Sequence, residues 1–80
     1  MEDKIIEIIA KVCGSEIIKE NREIDLIETG LLDSLGFMEL IALLEEEFNI
    51  EFELTKIKSD TWRKVDNIID LVNKYLEGDE

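Results

Sequence analysis

Val65, Ile68, Ile69, Val72 and Leu76 recur at the three- and four-residue spacing that places them on one side of a helix. The same spacing appears twice more. Ile5, Ile6, Ile8, Ile9 and Val12 show it near the start of the chain, and Phe37, Leu40, Ile41, Leu44 and Phe48 in the middle. Only residues 49 to 54 alternate with period two, and one isolated strand has no partner. No proline interrupts any of these segments. The chain is therefore predicted to be all-α: a small antiparallel helical bundle of three long helices plus a short helix, with a long loop between helices 1 and 2.

The periodicity predicts a first helix over about 3–13, stopped by Gly14, and a loop over 14–33. Scattered apolar residues, among them Ile17, Ile18, Ile24, Leu26, Ile27, Leu31 and Leu32, would pin that loop to the core. A loop of this length is unusual unless it has a function or turns of its own. A helix over about 34–48 follows. A connector and short helix then occupy 49–60, burying Ile50, Phe52 and Leu54. The last helix is expected over about 62–76, with Trp62 as core or partner contact. Asp60 or Thr61 could cap it, or a break near Arg63–Lys64 could divide it into a third and a fourth helix. Eighty residues make one domain, 1–80. A chain this short buries roughly two-thirds of its unfolded surface, which leaves little room for a deep active site.

Charge narrows the partners. The chain has 21 acidic and 9 basic residues, a net charge of −12. Nucleic acid and anionic membranes are thereby disfavoured, and basic protein surfaces favoured. Between Glu23 and Thr55 there is no lysine or arginine at all. The single cysteine, Cys13, excludes an internal disulfide and is expected to be a buried or half-buried thiol. The acidic start of the chain does not read as a signal peptide, and no apolar run approaches ~18 residues. No membrane insertion is expected, and a cytoplasmic monomer is the default.

The chemistry concentrates at "GLLDSLGFMEL", residues 30–40. Asp33 and Ser34 are both favoured N-cap residues, so a simple cap is the ordinary reading of Ser34. Gly36 weakens the first turn by about 0.5–1 kcal/mol relative to alanine. It would leave the backbone beside Ser34 open to close approach. The helix start also offers free N–H groups and a positive dipole end, which suit a covalently attached phosphate. A hydrolytic serine needs a base, but the chain has no histidine and no G-x-S-x-G elbow. On a helical wheel Leu35, Glu39, Ala42 and Glu46 share a stripe away from the apolar face, flanked by Glu45 and Met38. Acids mixed with apolar residues suit a docking surface, although Glu45–Glu47 also reads as a solvated helix end. Phe37 and Met38 read as core more readily than as cargo-lining. No spacing resembles a metal loop, so no metal site is expected.

In this setting "GLLDSLGFMELIALLEEEF" resembles the acyl carrier protein signature. The resemblance extends over the first helix, the "IDLIETGLLDS" loop, the "FNIEF" connector and the closing "KVDNIIDLVNKYL". It implies a carrier without catalytic activity. Ser34 would receive 4′-phosphopantetheine from coenzyme A through a phosphopantetheinyl transferase, with Asp33, Leu35 and Gly36 around the attachment point. The arm's thiol would then carry an acyl or aminoacyl group as a thioester in fatty acid or related biosynthesis. Leu35, Glu39, Ala42, Glu45 and Glu46 match the family's docking surface for loading and transfer enzymes. Gly36 stands where many fatty-acid carriers have an acid, Glu53 where a proline often follows, and Trp62 is unusual among them. Gly36 and "LTKIKSDTW" are more similar to D-alanyl carrier proteins of teichoic acid modification, which is the alternative cargo reading. A further alternative, from the residues alone, is an unmodified acidic helical interaction module.

Overall fold

This computed structural model describes residues 2–78. Three long helices are present: α1 over Glu2–Cys13, α3 over Ser34–Phe48 and α4 over Val65–Leu76. A one-turn helix, α2, spans Ile17–Glu20. It lies inside the segment expected to be loop. No strand occurs among the described residues, and residues 49 to 53 run as an irregular connector.

Helix α1 carries Glu2 and Asp3 in its first turn and Lys11 in its last, a distribution that opposes the macrodipole. It ends at Gly14, whose φ of 66° is open to glycine at little cost. Its apolar face buries Ile5, Ile8, Ile9 and Ala10. That face packs against α2, α3 and α4, so α1 is the element around which the others gather. Helix α4 buries Val65, Ile68, Ile69, Leu71 and Val72. Leu71 adds to the expected face, while Leu76, at the end of the helix, is exposed.

At the end of the chain the structure follows the alternative of a break near Arg63–Lys64 rather than a single helix from about residue 62. Two 3-10 turns, Leu54–Lys56 and Ser59–Arg63, precede α4, and Trp62 belongs to the second. The chain breaks at Lys64 in extended conformation, φ −116° and ψ 138°. The expected core of the connector is also corrected. Phe52 is buried, Ile50 is half-buried and Leu54 is 47% exposed. The 3-10 turn beginning at Leu54 directs it away from the core.

The long loop is fixed by backbone bonds and by ions. The Leu26 N–H donates to the Arg63 carbonyl (2.7 Å) and the Leu32 N–H to the Leu26 carbonyl (2.9 Å). Leu26 and Leu32 are both buried. Arg22 donates to Glu2 of α1 and Asp66 of α4, each at 2.6 Å, and so ties the loop to both helices. Lys64 Nζ donates to the Glu23 carbonyl at 2.8 Å. Among the described residues no helix is long and apolar enough to cross a membrane.

Candidate functional site

The site is built where the loop hands over to α3. Asp25 organises the approach: its Oδ1 accepts from the N–H groups of Ile27 (3.0 Å) and Glu28 (2.9 Å), and the Arg63 guanidinium donates to both carboxylate oxygens. These bonds, the Glu28 N–H foremost, hold the Asp25 carboxyl below its ordinary pKa. Gly30 then turns the chain with φ 79°. With Leu32 buried, Asp33 is left in extended conformation at the head of α3, φ −96° and ψ −174°.

Asp33 is the cap. Its Oδ1 accepts from the Gly36 N–H at 2.7 Å, and its carbonyl accepts from the Phe37 N–H at 2.7 Å. Ser34 is therefore the first helical residue rather than the cap. Its side chain is exposed, and among the described residues its hydroxyl has no hydrogen-bond partner. The structural task that local rules would give this serine is done by its neighbour.

Gly36 plays a different part from the one expected. A Cβ there would lie 3.2 Å from Asp33 Oδ1, 3.4 Å from Val12 Cγ1 and 3.5 Å from Leu32 Cδ1. The space is already filled by the cap and by α1, so the missing side chain allows close packing rather than ligand approach. Cys13, beside Val12, is half-buried with a free thiol. Burial, and then the negative charge of Asp33, push its pKa up.

Beside Ser34 lies a cleft of about 450 Å³. Ile27, Leu32 and Phe37 give it apolar walls, Ser59 faces them, and Trp62 forms the floor. Trp62 is 3% exposed. The Phe37 ring meets it edge-on at 5.1 Å between centroids and Phe52 does so at 5.6 Å. Tyr75 in turn packs on Phe52 at 5.0 Å, and its hydroxyl accepts from the Glu53 N–H. Sequence patterning found Trp62 as core but not as part of a cleft. Only the scattered apolar residues of the loop hinted that something covers this side of α3.

The expected docking residues separate into two groups. Leu35 (81% exposed), Glu39, Ala42 and Glu46 all point to solvent. Glu45 is half-buried, and its Oε2 accepts from the Phe52 N–H at 2.9 Å, so it anchors the connector. Met38 is 69% exposed, as its place flanking the stripe on the helical wheel gives and not as the core reading had it, because α1 covers only part of the apolar side of α3. Among the described residues no acid of α3 is in an ion pair, whereas Glu2, Glu16, Asp25, Glu53, Asp60 and Asp66 all are. The exposed face of α3 is thus uncompensated negative charge interspersed with Leu35 and Met38. Among the described residues no group of three or more metal-ligating side chains gathers.

Comparison with known proteins agrees with this geometry. Residues 3–72 match the family described as "Phosphopantetheine attachment site". The chain is 38% identical to the D-alanyl carrier protein of Bacillus licheniformis, over 89% of this chain and 91% of the relative. It is 34% identical to that of Bacillus subtilis, over 91% and 94%. With that of Bacillus velezensis it shares 37% identity over 95% and 94%.

Proposed function

The chain belongs to the phosphopantetheine-attachment family, and on that premise we propose that Ser34 bears the arm and that its cargo is D-alanine. Proteins of this family are carriers without enzymatic activity. A phosphopantetheinyl transferase modifies them, and loading and transfer enzymes act on their cargo. The cofactor is 4′-phosphopantetheine, attached covalently.

The observation that carries the Ser34 assignment is a hydroxyl left exposed and unpartnered at the first residue of α3, with Asp33 serving as cap. The residues present fit the group. The first-turn N–H groups of Ser34 and Leu35 lie outside the helix's own hydrogen bonding and would be available to an attached phosphate at the helix start, where the dipole favours negative charge. In the attachment, the Ser34 oxygen bonds to phosphorus, the pyrophosphate link of coenzyme A breaks, and adenosine 3′,5′-bisphosphate leaves. The serine proton goes to a base of the transferase; the adjacent carboxylate of this chain, Asp33, is engaged as the helix cap. Once bound, the arm supplies a terminal thiol that holds cargo as a thioester.

The relatives' shared name supports the D-alanyl reading over fatty-acid cargo. Leu35, Glu39, Ala42 and Glu46 then form the surface read by basic docking faces of the loading and transfer enzymes, and Glu45 contributes by holding the connector. We place the protein, a single carrier domain over 1–80 and a monomer, in the cytoplasm, where coenzyme A and ATP for loading are found.

Intact mass after incubation with coenzyme A, magnesium and a phosphopantetheinyl transferase tests the first part. Wild type should gain one phosphopantetheine and Ser34→Ala none; modification of Ser34→Ala refutes the assignment. The modified protein should then gain a hydroxylamine-labile alanyl group from D-alanine, ATP and a D-alanine-activating ligase. Acceptance of malonyl from a malonyl transferase, with no D-alanyl loading, refutes the cargo.

A further inference from the structure

We propose that Trp62 sets the cargo size, closing the bundle interior to anything carried on Ser34. The proposal rests on Ser34 as the attachment point. The cleft beside Ser34 is the natural place for an apolar chain hanging from that residue, since its walls are Ile27, Leu32 and Phe37. It leads inward only as far as the indole. None of the fully buried Leu40, Leu44, Val65 and Ile68 lines the cleft.

The indole is packed against two rings. Phe37 and Phe52 each stand in T-shaped contact with it. The backbone next to it is fixed where the Arg63 carbonyl accepts from Leu26, and where the Thr61 N–H donates to the Lys58 carbonyl at 3.0 Å. Arg63 itself is clamped by Asp25 and Asp60. Trp62 is thus a fixed plug rather than a lid. A small polar cargo loses nothing by remaining outside it. A long acyl chain would stay half in water, unable to bury its distal methylenes. Removing the indole leaves an apolar void that adjoins the cleft, and such voids take up apolar ligands.

The test loads octanoyl-phosphopantetheine directly from octanoyl-coenzyme A onto wild type, Trp62→Ala and Trp62→Leu, with mass confirming the attachment. The readouts are thioester cleavage by hydroxylamine and the melting temperature of each octanoyl form against its own form without acyl group. In wild type, cleavage should be only slightly slower than that of free octanoyl-pantetheine and the two melting temperatures should differ little. In Trp62→Ala, cleavage should slow about tenfold, as burial of two methylenes would give, and the octanoyl form should melt higher. Trp62→Leu should move the same way by less, and it decides the matter if the alanine variant does not fold. A wild-type octanoyl thioester as protected as the variants', or variants that show no protection, overturns the role of Trp62 alone. Absence of the arm from Ser34 instead overturns the attachment on which the proposal stands.

Discussion

Replacing Gly36 by alanine sets two comparable effects against each other at one atom. Alanine in a helix is favoured over glycine by about 0.5–1 kcal/mol. Against this, the new methyl would stand 3.2 Å from Asp33 Oδ1. That oxygen is the acceptor of the cap bond to Gly36 N–H; losing a cap outright typically costs about 1 kcal/mol, and a shift of a few tenths of an ångström only part of that. The other two neighbours, Val12 Cγ1 at 3.4 Å and Leu32 Cδ1 at 3.5 Å, are near ordinary van der Waals contact and yield little. Gly36→Ala in the wild type should therefore change stability by less than about 0.5 kcal/mol. In an Asp33→Ala background the tight contact is gone, and the same substitution should stabilise by about 0.5–1 kcal/mol. Thermal unfolding followed by circular dichroism resolves this, because 1 kcal/mol moves the melting temperature of a domain this size by about 4–8 °C. The four proteins form a double-mutant cycle with an expected coupling of about 0.5–1 kcal/mol. Equal shifts from Gly36→Ala in both backgrounds would refute the account of why glycine is needed there.

Glu45→Ala should destabilise by about 1–2 kcal/mol, since it leaves the partly buried Phe52 N–H without its acceptor; Glu46→Ala, one residue on, exposed and outside any hydrogen bond or ion pair among the described residues, should change the melting temperature by much less. Reversing Glu39 and Glu46 to lysine should slow loading by the partner enzyme while the circular dichroism spectrum stays the same, and unaltered loading kinetics would remove the acidic stripe from the docking surface. The carboxyl of Asp25 sits below its ordinary range, held chiefly by the Glu28 N–H. Its contribution is present above the unfolded carboxylate pKa of about 3.9 and is lost as pH falls through the lower folded value, so Asp25→Asn should flatten the acid limb of the melting temperature against pH. Cys13, pushed up by burial, should react with iodoacetamide more slowly than a free thiol at pH 8.

Sequence alone determined the three long helices and the start of α3. Three apolar faces at helical spacing, without a proline, leave little choice but α1, α3 and α4, because each face is specified by residues within a few turns of each other. The start of α3 is equally local: Asp33 followed by an apolar run is a cap signal, and the cap formed there. The absence of lysine and arginine between Glu23 and Thr55 made the exposed side of α3 acidic before any packing was known.

Tertiary structure decided which parts of those faces are covered. Phe37, Met38 and Ile41 read alike as apolar, but α1 shields α3 only in part, so Met38 is left in solvent. Trp62 fits the last helix by spacing. The bond from Leu26 to the Arg63 carbonyl and the aromatic contacts of Phe37 and Phe52 instead hold it in a 3-10 turn, as the floor of the cleft beside Ser34. Glu45 became an anchor because the left-handed Asn49, φ 54°, turns the connector back toward it. Gly36 looked like free space and proved to be bounded by its own cap, Asp33, and by Leu32 and Val12, the last from 24 positions earlier. The deciding neighbour lies outside the helix concerned in the cases of Met38, Trp62 and Glu45, and helical periodicity carries information only about residues on the same helix one or two turns apart.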